Sequence, residues 1–315
     1  MDPAMQRQKE QQTTDTVLMV RPAAFGFNPE TAATNRFQSA GADERKVADA
    51  ARREFDALVN KLATAGVSVI VMEDSPDPVK PDAVFPNNWF TTHAEGIAVL
   101  YPMLNPSRRV ERRRDWIEAL GAEHGRRLSS VLDLSYWEKQ GLALEGTGSL
   151  ILDRVKRTAY ACRAPRTAPE PLAQWEAFMG YEIHCFDAVD GNGVAIYHTN
   201  VMMSLGKEFA AVALDALPDS AERERLVQSL ESAGKEVIPL SLEQIAGFGA
   251  NILQLSGSAG EVIAMSDCAR SSLGRDVIRR LEGHGEIVSA PIPTIEQCGG
   301  GSVRCMLAEI FLPSH

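Results

Sequence analysis

Residues 298–305 read Cys-Gly-Gly-Gly-Ser-Val-Arg-Cys, and the apolar run Met-Leu-Ala-Glu-Ile-Phe-Leu follows at 306–312. Three consecutive glycines let a backbone come close to a ligand and take up dihedrals closed to other residues. The apolar run after them reads as a buried strand. Cys305 therefore stands where a flexible loop meets a rigid strand. Such a position suits a nucleophile, which needs exposure on a fixed scaffold. Taken alone, however, the same cysteine also reads as a small core hydrophobe. The rest of the chain decides between the two, because the strand pattern recurs upstream with other reactive residues in the matching place.

Aligning those places gives Glu145, His198, Asn251 and Cys305, separated by 53, 53 and 54 residues (198−145, 251−198, 305−251). A fixed period of that size signals repeated supersecondary units around an axis. Working outward, the first unit reads as strand 16–20, a loop to a helix cap at Asp43, helix 47–66 and strand 67–73. The second has strands 82–90 and 97–103 around a turn at 94–96, a basic helix over 108–121 and strand 128–135. Three more units repeat that order over 142–189, 194–241 and 248–293, each as strand, strand, helix, strand. The strand after Cys305 must pair with the first unit, whose strand 16–20 otherwise lacks a partner. The expected fold is α/β: five ββαβ units in a five-bladed ring, which protects sheet edges by radial repetition. Equivalent positions then converge on the axis, and Glu145, His198 and Cys305 meet there. Residues 1–14 are polar and aperiodic and are expected to be a flexible tail before a single domain over 15–315.

Composition narrows the function classes. The chain has 315 residues, 44% of them hydrophobic, and a formal net charge of −10. Its mean hydropathy is −0.15. An acidic globule of this kind argues against nucleic acid or an anionic membrane surface as partner and leaves small molecules or proteins. Five irregularly spaced cysteines make neither a disulfide ladder nor a CxxC zinc pair, so a reducing cytoplasm is expected; a reaction without metal or other cofactor is expected as well. No apolar run is long enough to span a bilayer. Nothing in the sequence sets the oligomeric state, and a homo-oligomer stays open.

The motifs PDAVFPNNWF (81–90), LEGTGSLILD (144–153), ACRAPRT (161–167), YHTNVMM (197–203), FGANILQLSG (248–257), SAPIPTIE (289–296) and GGGSVRCMLAEIFLP (299–313) occur in an order that resembles the guanidino-group-modifying, or pentein, superfamily. Within it the chain looks most like the citrulline-utilisation hydrolase, amidinotransferase-like branch. The resemblance implies a five-bladed α/β propeller. It also implies Cys305 as nucleophile, His198 as general acid and base, and Glu145 as the carboxylate that holds His198. Chemistry gives each a reason. A guanidinium or ureido carbon is a poor electrophile, so attack needs a soft, strong thiolate. One imidazole can protonate the departing nitrogen and later deprotonate a water. A carboxylate fixes its tautomer.

The same resemblance assigns substrate positions. Asp82 matches a carboxylate that contacts guanidinium nitrogens in relatives, whereas Asn87, Asn88 and Asn200 stand where relatives carry further acids. Amides in place of carboxylates remove charge and add donors able to face a carbonyl, which favours the neutral ureido group of citrulline over a cationic guanidinium. Arg108 and Arg166 match arginines that clamp the substrate α-carboxylate, with Arg109 the alternative if the register slips by one. Asn251 is expected to bond substrate or backbone, and Phe85 to pack on the planar head group. His93, His124, His184, His284 and His315 read as structural or solvated. The implied activity is hydrolysis of citrulline to ornithine, ammonia and carbon dioxide. Its alternatives are an arginine deiminase or methylarginine hydrolase, an amidinotransferase, and a non-enzymatic binding factor of the same fold.

Overall fold

Apolar runs of four to seven residues separated by amphipathic helices leave the chain few ways to pair its strands. A two-residue or slightly longer turn joins antiparallel neighbours, while parallel neighbours need a helical crossover. A computed structural model describes residues 10–39 and 44–314, so the expected cap at Asp43, residues 1–9 and His315 lie outside the described residues. Within the described residues, fifteen strands form five three-stranded sheets.

Four sheets share one plan. In the first of these, β3 (Phe90–His93) runs antiparallel to β4 (Ile97–Leu100), which pairs in parallel with β5 (Ser130–Asp133). The plan returns in β6 (Ile151–Asp153), β7 (Thr158–Cys162) and β8 (Glu182–Phe186). It returns again in β9 (Met203–Leu205), β10 (Phe209–Val212) and β11 (Glu236–Pro239). The last copy is β12 (Leu253–Gly257), β13 (Gly260–Ser266) and β14 (Glu286–Ala290). The fifth sheet is closed by the two chain ends. There β1 (Thr16–Arg21) pairs in parallel with β2 (Ser68–Glu73), and β15 (Ala308–Glu309) adds antiparallel, with Val17 opposite Glu309. The expected partner of the first strand is thus the last one.

Each crossover helix covers its sheet with an apolar stripe. Glu44–Thr64 buries Ala51, Phe55, Leu58 and Leu62, at spacings of four, three and four, against Val17, Met19 and Val262. Each such Phe or Leu contributes about 1.5–3 kcal/mol by leaving water. No helix among the described residues is long and apolar enough to cross a membrane.

Several expectations are corrected. Residues 10–14 are not a free tail: Glu10, Gln12, Thr13 and Thr14 are buried. Gln12 donates from Nε2 to the Leu152 carbonyl (2.9 Å) and accepts at Oε1 from the Arg154 N–H (3.0 Å). A polar stretch can be buried when its partners lie on other units, which composition does not reveal. The basic helix expected over 108–121 is broken into a turn, Pro106–Arg109, and a helix, Arg114–Ala122, because Glu111 turns inward to Arg108. The single helix expected in the unit over 248–293 divides into Asp267–Ser272 and Gly274–Glu282, with Gly274 in the left-handed region.

The reactive residues also sit slightly before their strands. Short helical turns, Pro86–Asn88, Gly146–Ser149, Thr199–Val201 and Val303–Met306, immediately precede β3, β6, β9 and β15. Being buried on every side, these segments carry no period-2 pattern to set them apart from the strands they feed. The Gly146–Ser149 turn touches both Pro86–Asn88 and Thr199–Val201, and Pro86–Asn88 also touches Val303–Met306. Four stretches far apart in sequence are thereby packed at one place.

Candidate active site

Glu145 and His198 are the electrostatic centre of that place. Glu145 is fully buried as the residue before its turn, and its Oε2 faces His198 Nε2 at 2.9 Å. The same oxygen accepts from Arg166 Nη1 (3.3 Å), and Oε1 accepts from the Leu104 N–H (3.1 Å). Burial alone would raise the carboxyl, but Arg166, the hydrogen bond to His198 and Arg108 hold it well below the usual carboxylate range. Burial, reinforced by Arg166 and Arg108 and only partly opposed by Glu145, pushes the imidazole down to about 4. The pair is therefore an ionised carboxylate holding a neutral imidazole through Nε2–H, with Nδ1 left as the basic nitrogen. Gly148 makes this closeness feasible: a Cβ there would lie 2.5 Å from Asn88 Nδ2 and 2.7 Å from the His198 ring.

Cys305 lies in the one-turn helix Val303–Met306, where a strand start was expected. Its sulfur accepts from Asn251 Nδ2 at 3.2 Å and from Asn200 Nδ2 at 3.5 Å. The glycine run before it brings backbone against Phe85, as a Cβ on Gly301 would come within 2.9 Å of that ring. Ser302 anchors the run by donating to buried Glu296 (2.7 Å).

A narrow cleft of about 20 Å³, roughly one water's worth of space, opens onto Cys305 and His198. Of the residues singled out in the sequence, Asp82, Phe85, Asn88, Arg108 and Arg166 also line it. Asp82 Oδ2 accepts from Asn28 (2.7 Å) and Thr31 (3.1 Å), and burial raises its carboxyl despite Arg108. Arg108 is held by Glu111 Oε2 (2.8 Å), Asn88 Oδ1 (2.7 Å) and the Phe85 carbonyl (3.2 Å). Arg109 faces away from the cleft, donating to the carbonyls of Met103 and Leu104. Asn87, Asn200 and Asn251 do not line the cleft. Asn87 reaches Thr147 (3.3 Å), while the other two lie against the sulfur.

The sequence reading missed the far wall of the cleft. Thr31, Asn35 and Gln38, from an aperiodic segment, close over it: Gln38 donates to the Gly299 carbonyl (2.8 Å) and Asn35 to that of Gly300 (3.1 Å). Arg166 Nη2 reaches Thr34 (2.6 Å) in the same segment. Tyr197 was overlooked beside His198, although its ring lies beneath the Arg166 guanidinium at 4.9 Å. Around this cleft and just behind it, Asp82 Oδ1, Asn87 Oδ1, Asn88 Nδ2, Arg166 Nε, Asn200 Oδ1 and Asn251 Oδ1 are buried without a partner. Buried polar atoms are rarely left so, and their gathering at one place marks a ligand site.

Comparison with known families agrees. The family model describing eukaryotic N,N dimethylarginine dimethylhydrolase matches residues 21–312. The chain belongs to the dimethylarginine dimethylhydrolase family. That places it in the pentein superfamily and makes it a hydrolase of linear C–N bonds. No match was found among curated proteins.

Among solved structures, this dimethylarginine dimethylhydrolase relative is similar to the N-terminal domain of ArgZ covalently bound to a reaction intermediate. The identity is 17% and the TM-score 0.71, over 95% of this chain and 99% of that one. Unliganded AgrE is 19% identical with a TM-score of 0.72, over 95% of this chain and 40% of that one. A dimethylarginine dimethylaminohydrolase adduct with 4-chloro-2-hydroxymethylpyridine is 16% identical with a TM-score of 0.63, over 95% and 100%. The chain thus spans about two fifths of AgrE. At these identities the likeness is one of fold.

Proposed function

We propose that this chain is a cysteine-dependent hydrolase of the ureido group of citrulline. Cys305 attacks the ureido carbon as its thiol proton passes to His198 Nδ1. The S–C bond forms, the bond from that carbon to the side-chain nitrogen breaks, and His198 returns the proton to the departing amine of ornithine. The remaining S-carbamoyl group is hydrolysed by water that His198 deprotonates, and the carbamate falls to ammonia and carbon dioxide. Glu145 keeps Nε2 protonated so that Nδ1 does this work, and a buried imidazolium beside two guanidiniums gives up its proton readily. Arg108 and Arg166 offer cations for the substrate carboxylate, and Phe85 a face for its planar head.

The observation that carries the choice of citrulline is Asn88 Nδ2, a buried donor in the cleft without a partner, suited to a ureido oxygen. A second observation favours arginine or a methylated arginine: Asp82 Oδ1 is buried in the same cleft without a partner and would take a guanidinium N–H. Crystals of AgrE with L-arginine and of ArgZ, an arginine dihydrolase, give that reading weight. Citrulline, arginine and dimethylarginine assayed side by side, with ornithine, citrulline and ammonia quantified, separate the two. Ornithine from citrulline but not from arginine is the expected result, and the reverse preference overturns it. Cys305→Ala should lower turnover of any substrate by at least about a thousandfold. Full turnover in that variant ends the covalent mechanism.

The same reading includes the architecture. The five sheets are taken as blades of a five-bladed α/β propeller around a pseudo-fivefold axis, in one domain. Contacts of β6 with β9, β9 with β12, and β15 with β3 support that arrangement.

A further inference from the structure

The sulfur of Cys305 has two hydrogen-bond partners, and both are donors: Asn251 Nδ2 at 3.2 Å and Asn200 Nδ2 at 3.5 Å. A thiol would want an acceptor for its S–H, whereas a thiolate accepts only. The amides come from two different units and are nearly fully buried, at 3% and 1% exposure. Neither lines the cleft in which a substrate would lie, so they sit against the reacting atom from behind. Asn251 is itself fixed from both sides. Its N–H donates to the carbonyl of Phe248, a non-glycine residue held at φ 64°, and its carbonyl accepts from the Arg304 N–H beside the nucleophile. A residue kept in the left-handed region costs free energy and persists only where its surroundings impose it. The amide at 251 is thus locked to the same backbone turn that carries the sulfur.

We infer that Asn251, assisted by Asn200, is a catalytic residue that stabilises negative charge on the Cys305 sulfur, rather than a substrate contact. The charge appears twice in the reaction, when sulfur loses its proton to His198 and again when the S-carbamoyl bond breaks and sulfur leaves with the bonding pair. Two N–H donors serve both moments without bearing a charge that the substrate would have to match. Other charged or titratable groups bear on the sulfur from the cleft side: His198, Tyr197, Arg166, Arg108 and Asp82. Arg304, next in sequence, is turned away to the Leu307 carbonyl and Glu309. The inference rests on Cys305 being the nucleophile but not on the identity of the substrate.

The test is the pH dependence of alkylation of the intact chain by iodoacetamide, followed at Cys305 by peptide mass mapping, since four other cysteines are present. In Asn251→Ala the midpoint for Cys305 should rise by about one pH unit, so that alkylation below it slows about tenfold. Asn251→Asp, nearly the same shape, should raise it further, because a carboxylate then faces the sulfur. Asn200→Ala, across the longer contact, should shift it less and serves if neither variant at 251 folds. Midpoints unchanged in folded variants, with only the melting temperature lowered, overturn the inference. Because no substrate enters the assay, a shifted midpoint with no turnover of citrulline or arginine compounds sinks the proposed function alone. Turnover with an unmoved midpoint sinks this inference alone.

Discussion

Among the described residues, a carboxylate, a histidine and an arginine meet in two buried clusters whose surroundings differ. In the first, Glu145 faces His198 at 2.9 Å with Arg166 beside it. In the second, Glu10 lies 3.6 Å from His93 Nδ1 and accepts from Arg154 at 2.7 Å and Tyr181 at 2.8 Å. Charge pairing holds both glutamates well below the usual range against burial, Arg154 foremost at Glu10 and Arg166 at Glu145. What separates the two is their surroundings. Glu10 has both oxygens occupied and Arg154 is further capped by the Phe311 ring at 3.8 Å, so the cluster pins residues 10–14 to the body and holds no sulfur, although His93 Nδ1 is left without a hydrogen-bond partner. His198 keeps Nδ1 available on a cleft that also holds a sulfur. A carboxylate, an imidazole and a guanidinium are therefore common structural glue, and a nucleophile with space in front of it makes them a site.

Exchanging the two glutamates tests this contrast most severely. Glu145→Gln should lower kcat by about 10³–10⁴, since the amide no longer fixes the imidazole tautomer. Glu10→Gln should leave kcat within about threefold. Its cost should appear in stability, because removing one partner of a buried pair takes about 3–5 kcal/mol. Denaturant unfolding and steady-state kinetics on both variants read this out, and a kcat loss at Glu10 equal to that at Glu145 would erase the distinction.

Acidification sharpens it next. His198 in the unfolded chain takes a proton near pH 6.5, but in the fold only near 4, so the unfolded state binds more protons between those values. Stability from this residue is thus present above about pH 6.5 and is lost as pH falls toward 4. Wild type should lose roughly 2–3 kcal/mol more than His198→Asn between pH 7 and pH 4.5, measured by urea unfolding. Equal losses would mean that the imidazole takes up its proton as readily in the fold as in the unfolded chain.

Packing gives a smaller effect. Gly148→Ala would force a methyl against Asn88 and the His198 ring, costing about 1–3 kcal/mol and displacing the imidazole. Its kcat should fall more than its KM rises. Smallest of all, Arg109→Ala should change kcat/KM by less than about threefold, since that side chain serves the carbonyls of Met103 and Leu104. An effect as large as that of Arg108→Ala would restore Arg109 as a substrate ligand.

How much of this the residues announce beforehand varies with how local the cause is. The five-unit plan was legible because each unit carries its own hydrophobic period and its own turn, and β15 had to find β1 once every other strand was paired. Arg108 with Glu111, three residues on, was readable as a helical neighbour pair but was obscured by the surrounding arginines. The segment carrying Thr31, Asn35 and Gln38 has no period at all, and its role comes from carbonyls of Gly299 and Gly300, more than 250 residues away. Glu10 likewise looked like tail because its partners, Arg154 and Tyr181, come from a different unit.

Residue order alone determined the number of units, the order of strands and helices, and which Glu, His and Cys recur at one position, since those depend on short-range periodicity and spacing. Tertiary structure alone decided which way the amides face. Asn200 and Asn251 turn toward the sulfur, while Asn88 turns its oxygen to Arg108 and leaves its nitrogen unpartnered. An amide carries a donor and an acceptor with no net charge, so its orientation is set by whichever partner the folded neighbours present.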